Sequence, residues 1–147
     1  MMSNLNLNTK QIGDAGEHFA LAMFGFNGLP AIKAPDNWPD YDLLVRLPEG
    51  RLGKISVKTS RASGTQPELV WDYSDEVDFL VYVVVPAEGG DAPEAWIFPI
   101  QDIAAAASSS DKERKRWISL KRLRKLPELA RWKNHWRAPL EQFTGVT

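Results

Sequence analysis

The sequence predicts one α/β domain, ordered as a helix, then strands of a mixed central sheet with flanking helices, then a basic helical tail. Three observations carry that prediction. Thr9 to Phe26 repeats Ile12, Ala15, Gly16, Phe19, Met23 and Phe26 at three- and four-residue intervals, the period of a helix with one apolar stripe. Short apolar runs punctuated by Pro, Gly, Asn and Asp follow, including the continuous FLVYVVV. From Asp111 to Arg137, Lys and Arg are interleaved with Trp and Leu at helical spacing. A chain of 147 residues can bury a core without staples, and 44% hydrophobic with 25% charged residues excludes a fully disordered chain.

The first helix is expected over about Thr9–Phe26, capped by Asn8 or Thr9 and stopped by Gly25 or Gly28. Leu29–Ala34 reads as a short extended stretch. Tyr41–Leu47 and Lys54–Ser60 read as two strands joined by the hairpin loop Pro48–Gly53, because Pro and two Gly separate two apolar runs. In the second strand Ile55 and Val57 alternate with Lys54, Ser56, Lys58 and Ser60, giving one apolar and one polar face. After an expected loop at Arg61–Pro67, Glu68–Tyr73 and Val77–Val85 are strands around the acidic turn SDE. The second of these, apolar throughout, belongs inside a sheet. A loop at Pro86–Pro93, a strand at Ala95–Ile100 and an Ala-rich helix at Gln101–Ser109 complete a core of about residues 9–110. In the tail, about 111–140, Leu123 and Leu126 share one helical face, and Leu129, Trp132 and Trp136 share another beyond the break at Pro127. The tryptophans are expected to pack on the sheet with the Lys/Arg heads outside.

Composition removes several function classes. There is no cysteine, so disulfides, zinc ribbons and thiol nucleophiles are excluded, and two isolated histidines, His18 and His135, exclude a histidine-rich metal site. No run approaches the roughly 18 apolar residues of a membrane span, so a cytoplasmic protein without a membrane partner is expected. Phosphate-loop, dinucleotide-fingerprint, nucleophile-elbow and HExxH motifs are all missing. The net charge of −1 hides an asymmetry. Residues 1–110 hold 7 Lys/Arg against 15 Asp/Glu, whereas residues 111–137 hold 11 against 3, a net of +8. That segment, with Arg114, Lys115, Arg116, Lys121, Arg122, Arg124 and Lys125, is either a solvated basic helix or a footprint for a polyanion such as nucleic acid.

The remaining polar groups gather near the first hairpin. Period two puts Asp40 and Asp42 on one face of their strand, and Ser56 and Lys58 on one face of the next. If the polar faces coincide, a carboxylate and an ammonium lie across from each other. Such oxygens suit Mg²⁺ or Mn²⁺, and a lysine beside them can orient water and offset phosphoryl charge. Taken singly, each residue is equally at home as a solvated surface group. Glu17 lies well off the apolar stripe of its helix, so a solvent-facing position fits it as well as a functional one.

GEHFALAMFGFNGLPA, PDYDLLV and ISVKTS, in that order, resemble the PD-(D/E)XK nuclease superfamily over roughly residues 13–100. The resemblance implies a restriction-endonuclease-like or resolvase-like core and hydrolysis of nucleic-acid phosphodiesters, of DNA above all, with Mg²⁺ or Mn²⁺. It also implies a homodimer, which such nucleases often form to cut both strands. On this resemblance Asp42 is the direct metal ligand, with Asp40 as the competing assignment. Asp42 is preferred because the apolar strand begins directly after it. Glu17 assists the metal, the Val57 carbonyl is a further ligand, and Lys58 is the catalytic lysine. Ser56 stands where the family has Asp or Glu, which removes one charge from the metal site. The alternative is therefore a catalytically impaired domain of the same fold that binds nucleic acid or a protein partner.

Overall fold

The computed structural model describes residues 7–62, 67–87 and 91–144. Parts of the expected loops at 61–67 and 86–93, namely 63–66 and 88–90, lie outside the described residues. Helix α1 spans Thr9–Phe26, with Asn8 as its cap. The Asn8 side chain accepts from the Gln11 N–H at 2.8 Å, and Gln11 Oε1 accepts from the Asn8 N–H at 3.0 Å, so two orphan donors are satisfied reciprocally. Gly28, at φ 79°, supplies the left-handed turn behind the helix.

Among the described residues eight strands follow: β1 (Ala31–Lys33), β2 (Leu43–Arg46), β3 (Leu52–Ala62), β4 (Glu68–Asp72), β5 (Phe79–Pro86), β6 (Glu94–Pro99), β7 (Ser108–Ser110) and β8 (Lys115–Ser119). Between and after them lie α2 (Ile100–Ala106), α3 (Leu120–Lys125), α4 (Pro127–Ala130) and α5 (Ala138–Thr144). The central sheet is ordered β1-β2-β3-β5-β6, with β3 and β5 parallel and the other pairs antiparallel. The second sheet is ordered β4-β8-β7.

Strand β5 explains why FLVYVVV is apolar without alternation. Phe79, Val81 and Val83 enter the core under α1, while Leu80, Tyr82 and Val84 enter a second core under the small sheet and the later helices. Both faces are dry, and each such side chain contributes about 1.5–3 kcal/mol on burial.

Three expectations are corrected. The apolar stripe of α1 is turned from its expected phase: Gly16, Ala20 and Phe24 are buried, while Phe26 is 83% exposed. Small residues face the sheet because the helix comes so close that a Cβ on Gly16 would lie 1.9 Å from Thr59 Oγ1. Around the acidic turn, β4 belongs to the second sheet and β5 returns to the central sheet parallel to β3.

The basic tail is not helical throughout, since Arg114, Lys115 and Arg116 lie outside its helices. Lys115–Ser119 is a strand whose partner β4 sets Lys115 across from Asp72 and buries Ile118 beside Leu69, so tertiary pairing overrides helical spacing. Trp132 and Trp136 do not share a helical face. Between them the chain lies along the β6 edge, with Asn134 N–H on the Ala95 carbonyl at 2.9 Å and Ile97 N–H on the Trp132 carbonyl at 3.2 Å. Trp132 therefore drops into one core and Trp136 into the other. There Trp136 meets Phe24 edge-on at 5.1 Å and Phe19 at 5.9 Å, which holds α1 against the sheet.

Candidate active site

The β2–β3 hairpin sets the geometry. Leu43 pairs with Ile55, which puts Asp42, just before β2, opposite Ser56. The Asp42 N–H donates to the Ile55 carbonyl at 2.8 Å, and Asp42 Oδ2 accepts from the Val57 N–H at 2.8 Å. One carboxylate oxygen is thus fixed on the neighbouring strand. Within a strand the N–H and C=O of one residue point the same way, so the Val57 carbonyl faces the edge where Asp42 sits.

Glu17 comes to this edge from α1. It follows Gly16, whose missing Cβ lets the helix touch Thr59, so the turned phase of the helix carries Glu17 inward rather than to solvent. Glu17 and Asp42 line one cleft of about 140 Å³ together with Lys10, Asp14, Ala34, Pro35 and Asp36. Burial and then the nearby Asp42 charge raise the Glu17 pKa, against the pull of Lys33, whose Nζ lies 3.6 Å from Glu17 Oε1. Four carboxylates, Asp14, Glu17, Asp36 and Asp42, thus line a cleft whose lining holds one lysine, Lys10, with Lys33 paired to Glu17.

Lys58 is next in the chain to Val57, half-buried, and on the same face of β3 as Ser56. Asp75, in the turn after β4, feels Lys58, Asp72, Asp40 and Lys115; its pKa is raised chiefly by burial, with Lys58 opposing. Lys58 thus acts on Asp75, and it does not line the cleft that holds Glu17 and Asp42. Asp40 itself is exposed, adopts φ 76°, and does not line the cleft that holds Glu17 and Asp42. Ser56 is 3% exposed.

The basic residues divide into separate groups. Arg114 and Arg116 stack over Tyr73 at 5.9 and 5.7 Å, and Lys115 lies across from Asp72, so these three gather at the Tyr73 end of β8. Lys121, Arg122 and Lys125 lie exposed on α3, beyond the far end of β8, roughly 13 Å along the strand. Arg124 is tied to Glu94, which also holds Lys133 at 2.9 Å.

Sequence reasoning missed Lys33, Asp14, Asp36 and Asp75. Asp14 had a signal, standing one helical turn before Glu17. Lys33 comes from the end of β1, and Asp36 and Asp75 come from loops whose course no local pattern records.

The donor set fits a hard divalent ion of the magnesium type, which keeps several waters and takes one or two carboxylates. Glu17, Asp42 and the Val57 carbonyl are such donors. Among the described residues no group of three or more His, Cys, Asp or Glu converges on one point.

No protein-family model matches this sequence, and no curated protein does. Solved structures do. The chain is similar to the bacterial homing endonuclease I-Ssp6803I, at 21% identity and a TM-score of 0.66, over 95% of this chain and 98% of that one. It also matches Hjc, a Holliday junction resolvase of Archaeoglobus fulgidus, at 15% identity and a TM-score of 0.44, over 74% of this chain and 84% of that one. No helix among the described residues is long and apolar enough to cross a membrane. Helix α1, the β1-β2-β3 meander and the parallel return of β5 are the frame of a fold that this chain shares with the homing endonuclease I-Ssp6803I.

Proposed function

We propose that the protein is a metal-dependent nuclease that hydrolyses phosphodiester bonds, with cytoplasmic DNA as its substrate. The observation that carries the reading is the Asp42 carboxylate fixed on the Val57 N–H, directly beside Lys58, with Glu17 facing it across one cleft. Asp42, Glu17 and the Val57 carbonyl would hold Mg²⁺ or Mn²⁺. Such an ion, when bound, polarises a phosphoryl oxygen and lowers the pKa of its water. Lys58 orients the attacking water and offsets the negative charge that grows on the phosphorus centre. Lys33, at 3.6 Å from Glu17 Oε1, would share that carboxylate with the ion. Arg114, Lys115 and Arg116 hold the phosphate backbone near the cleft without reading bases, and Lys121, Arg122 and Lys125 extend that grip along the strand. Cutting both strands of a duplex takes two such sites, so a homodimer belongs to the proposal.

Plasmid and single-stranded DNA incubated with Mn²⁺ or Mg²⁺ supply the test. Wild-type protein nicks the DNA, and Lys58→Ala lowers the rate by about a hundredfold or more. Equal and negligible cleavage by both proteins removes the enzymatic reading.

A second reading is favoured by Ser56, buried where a third carboxylate would add charge to the site. In that case the fold binds nucleic acid or a protein partner without cutting. Binding of DNA that weakens steeply with salt, together with absent cleavage, selects it.

A further inference from the structure

Of the six tryptophans, Trp71, Trp96, Trp132 and Trp136 are buried and Trp117 is half-buried, whereas Trp38 is 51% exposed. Trp38 sits at the tip of the loop that runs from Ala34 to Asp42. The Ala34 N–H donates to the Asp42 carbonyl at 2.8 Å and closes the neck of that loop. Within it the Trp38 N–H bonds the Pro35 carbonyl at 2.8 Å, and the Tyr41 N–H bonds the Pro39 carbonyl at 2.9 Å. Two prolines and these bonds fix the backbone, so ordering the tip on a ligand costs little.

The neck of the loop is part of the candidate active site. Ala34, Pro35, Asp36 and Asp42 line the cleft that holds Glu17. The indole rests edge-on against Tyr41, with centroids 6.4 Å apart at 64°, and Lys54 Nζ lies over the Tyr41 ring at 5.8 Å. An aromatic ring supported by a neighbour, with a cation close by, thus stands on the same loop whose neck lines the cleft.

The surroundings choose the occupant. Asp36, Asn37, Pro39 and Asp40 beside the indole are all exposed, so Trp38 is a single planar surface among polar groups rather than part of a broad apolar patch. A nucleobase offers a planar face of matching size, and stacking on it needs no sequence match.

We propose that Trp38 is a positioning residue that stacks on an unpaired nucleobase beside the phosphate held at the Asp42–Glu17 cleft. The proposal rests on the nuclease reading and names its substrate class: DNA with an unpaired or splayed nucleotide. The acidic neighbours repel phosphate until a divalent ion neutralises them, so stacking requires the ion.

A labelled DNA duplex carrying one unpaired nucleotide is titrated in Ca²⁺, with anisotropy reporting binding and tryptophan emission reporting stacking. Wild-type emission falls on binding, and Trp38→Phe keeps most of the affinity while losing the quench. Trp38→Ala weakens binding about 5- to 100-fold with an unchanged melting temperature, and it has less effect on an intact duplex. A quench that survives in Trp38→Phe, or equal affinity of Trp38→Ala and wild type, overturns the proposal and leaves the nuclease reading standing. Failure of the wild type to bind any DNA ends both.

Discussion

Glu17 and Glu94 are both half-buried glutamates held by lysine, yet their surroundings push them in opposite directions. Glu17 has burial and the Asp42 charge against it and one lysine for it, so its pKa is raised. Burial also acts to raise Glu94, but hydrogen bonds from Lys133 and Arg124 outweigh it, and the pKa falls. Glu94 is a staple, in which two cations already satisfy one acid and join the end of α3 to the edge of β6. The Glu17 cleft has more acid than cation. Counting charges around a carboxylate separates the two roles better than its exposure does.

The strongest way to break the cleft without touching an acid is Gly16→Ala. A Cβ there meets Thr59 Oγ1, Cβ and Cγ2 at 1.9, 3.0 and 3.1 Å, so no rotation of Thr59 clears it. The helix must move outward with Glu17. We expect a loss of about 3 kcal/mol in denaturant unfolding, well beyond the ~1 kcal/mol that alanine gains in helix propensity.

A smaller effect sharpens the contrast. Mn²⁺ at about ten times its Kd stabilises the wild type by about 1.4 kcal/mol in thermal unfolding at neutral pH. Glu17→Gln loses most of that gain, and Glu94→Gln keeps it. The pH dependence has a definite sign. Because folding raises the Glu17 pKa, its stabilising contribution is complete below the unfolded value and is lost as pH climbs through the folded one. Glu17→Gln therefore flattens that fall in the metal-free protein. Glu94 behaves in reverse: its contribution is present above the unfolded value and is lost as pH drops through the folded one.

The smallest effect is Glu94→Gln itself. Both of its cation partners are close to half exposed, so water and salt screen the pairs. A stability loss under about 1 kcal/mol with unchanged DNA cleavage is expected. Loss of cleavage in this variant would show that the staple belongs to the active site after all.

The hairpin was legible because it is local. Alternation in Ile55–Ser60 and the punctuated PEGRLG loop specify strand, turn and strand within a few residues of each other. Asp42 across from Ser56 then follows from register. The tail misled for the opposite reason. Its leucines and tryptophans fall at helical spacing, but the partners of Lys115–Ser119 are in β4, and no pattern inside the tail names them. Trp132 and Trp136 stand four residues apart in the chain and on opposite sides of the central sheet in space.

The sequence by itself determined the first helix, the hairpin, the interior strand β5 and the identity of the acid and the lysine on adjacent strands. Each of these rests on periodicity, which is a property of neighbours in the chain. Tertiary structure alone decided which face of α1 turns inward, because the contact at Gly16 depends on how near the sheet lies. It also decided that Lys33 meets Glu17, and that the basic residues divide between two ends of β8. Those outcomes come from packing between segments far apart in sequence, where burial and charge compete over distances that no local pattern encodes.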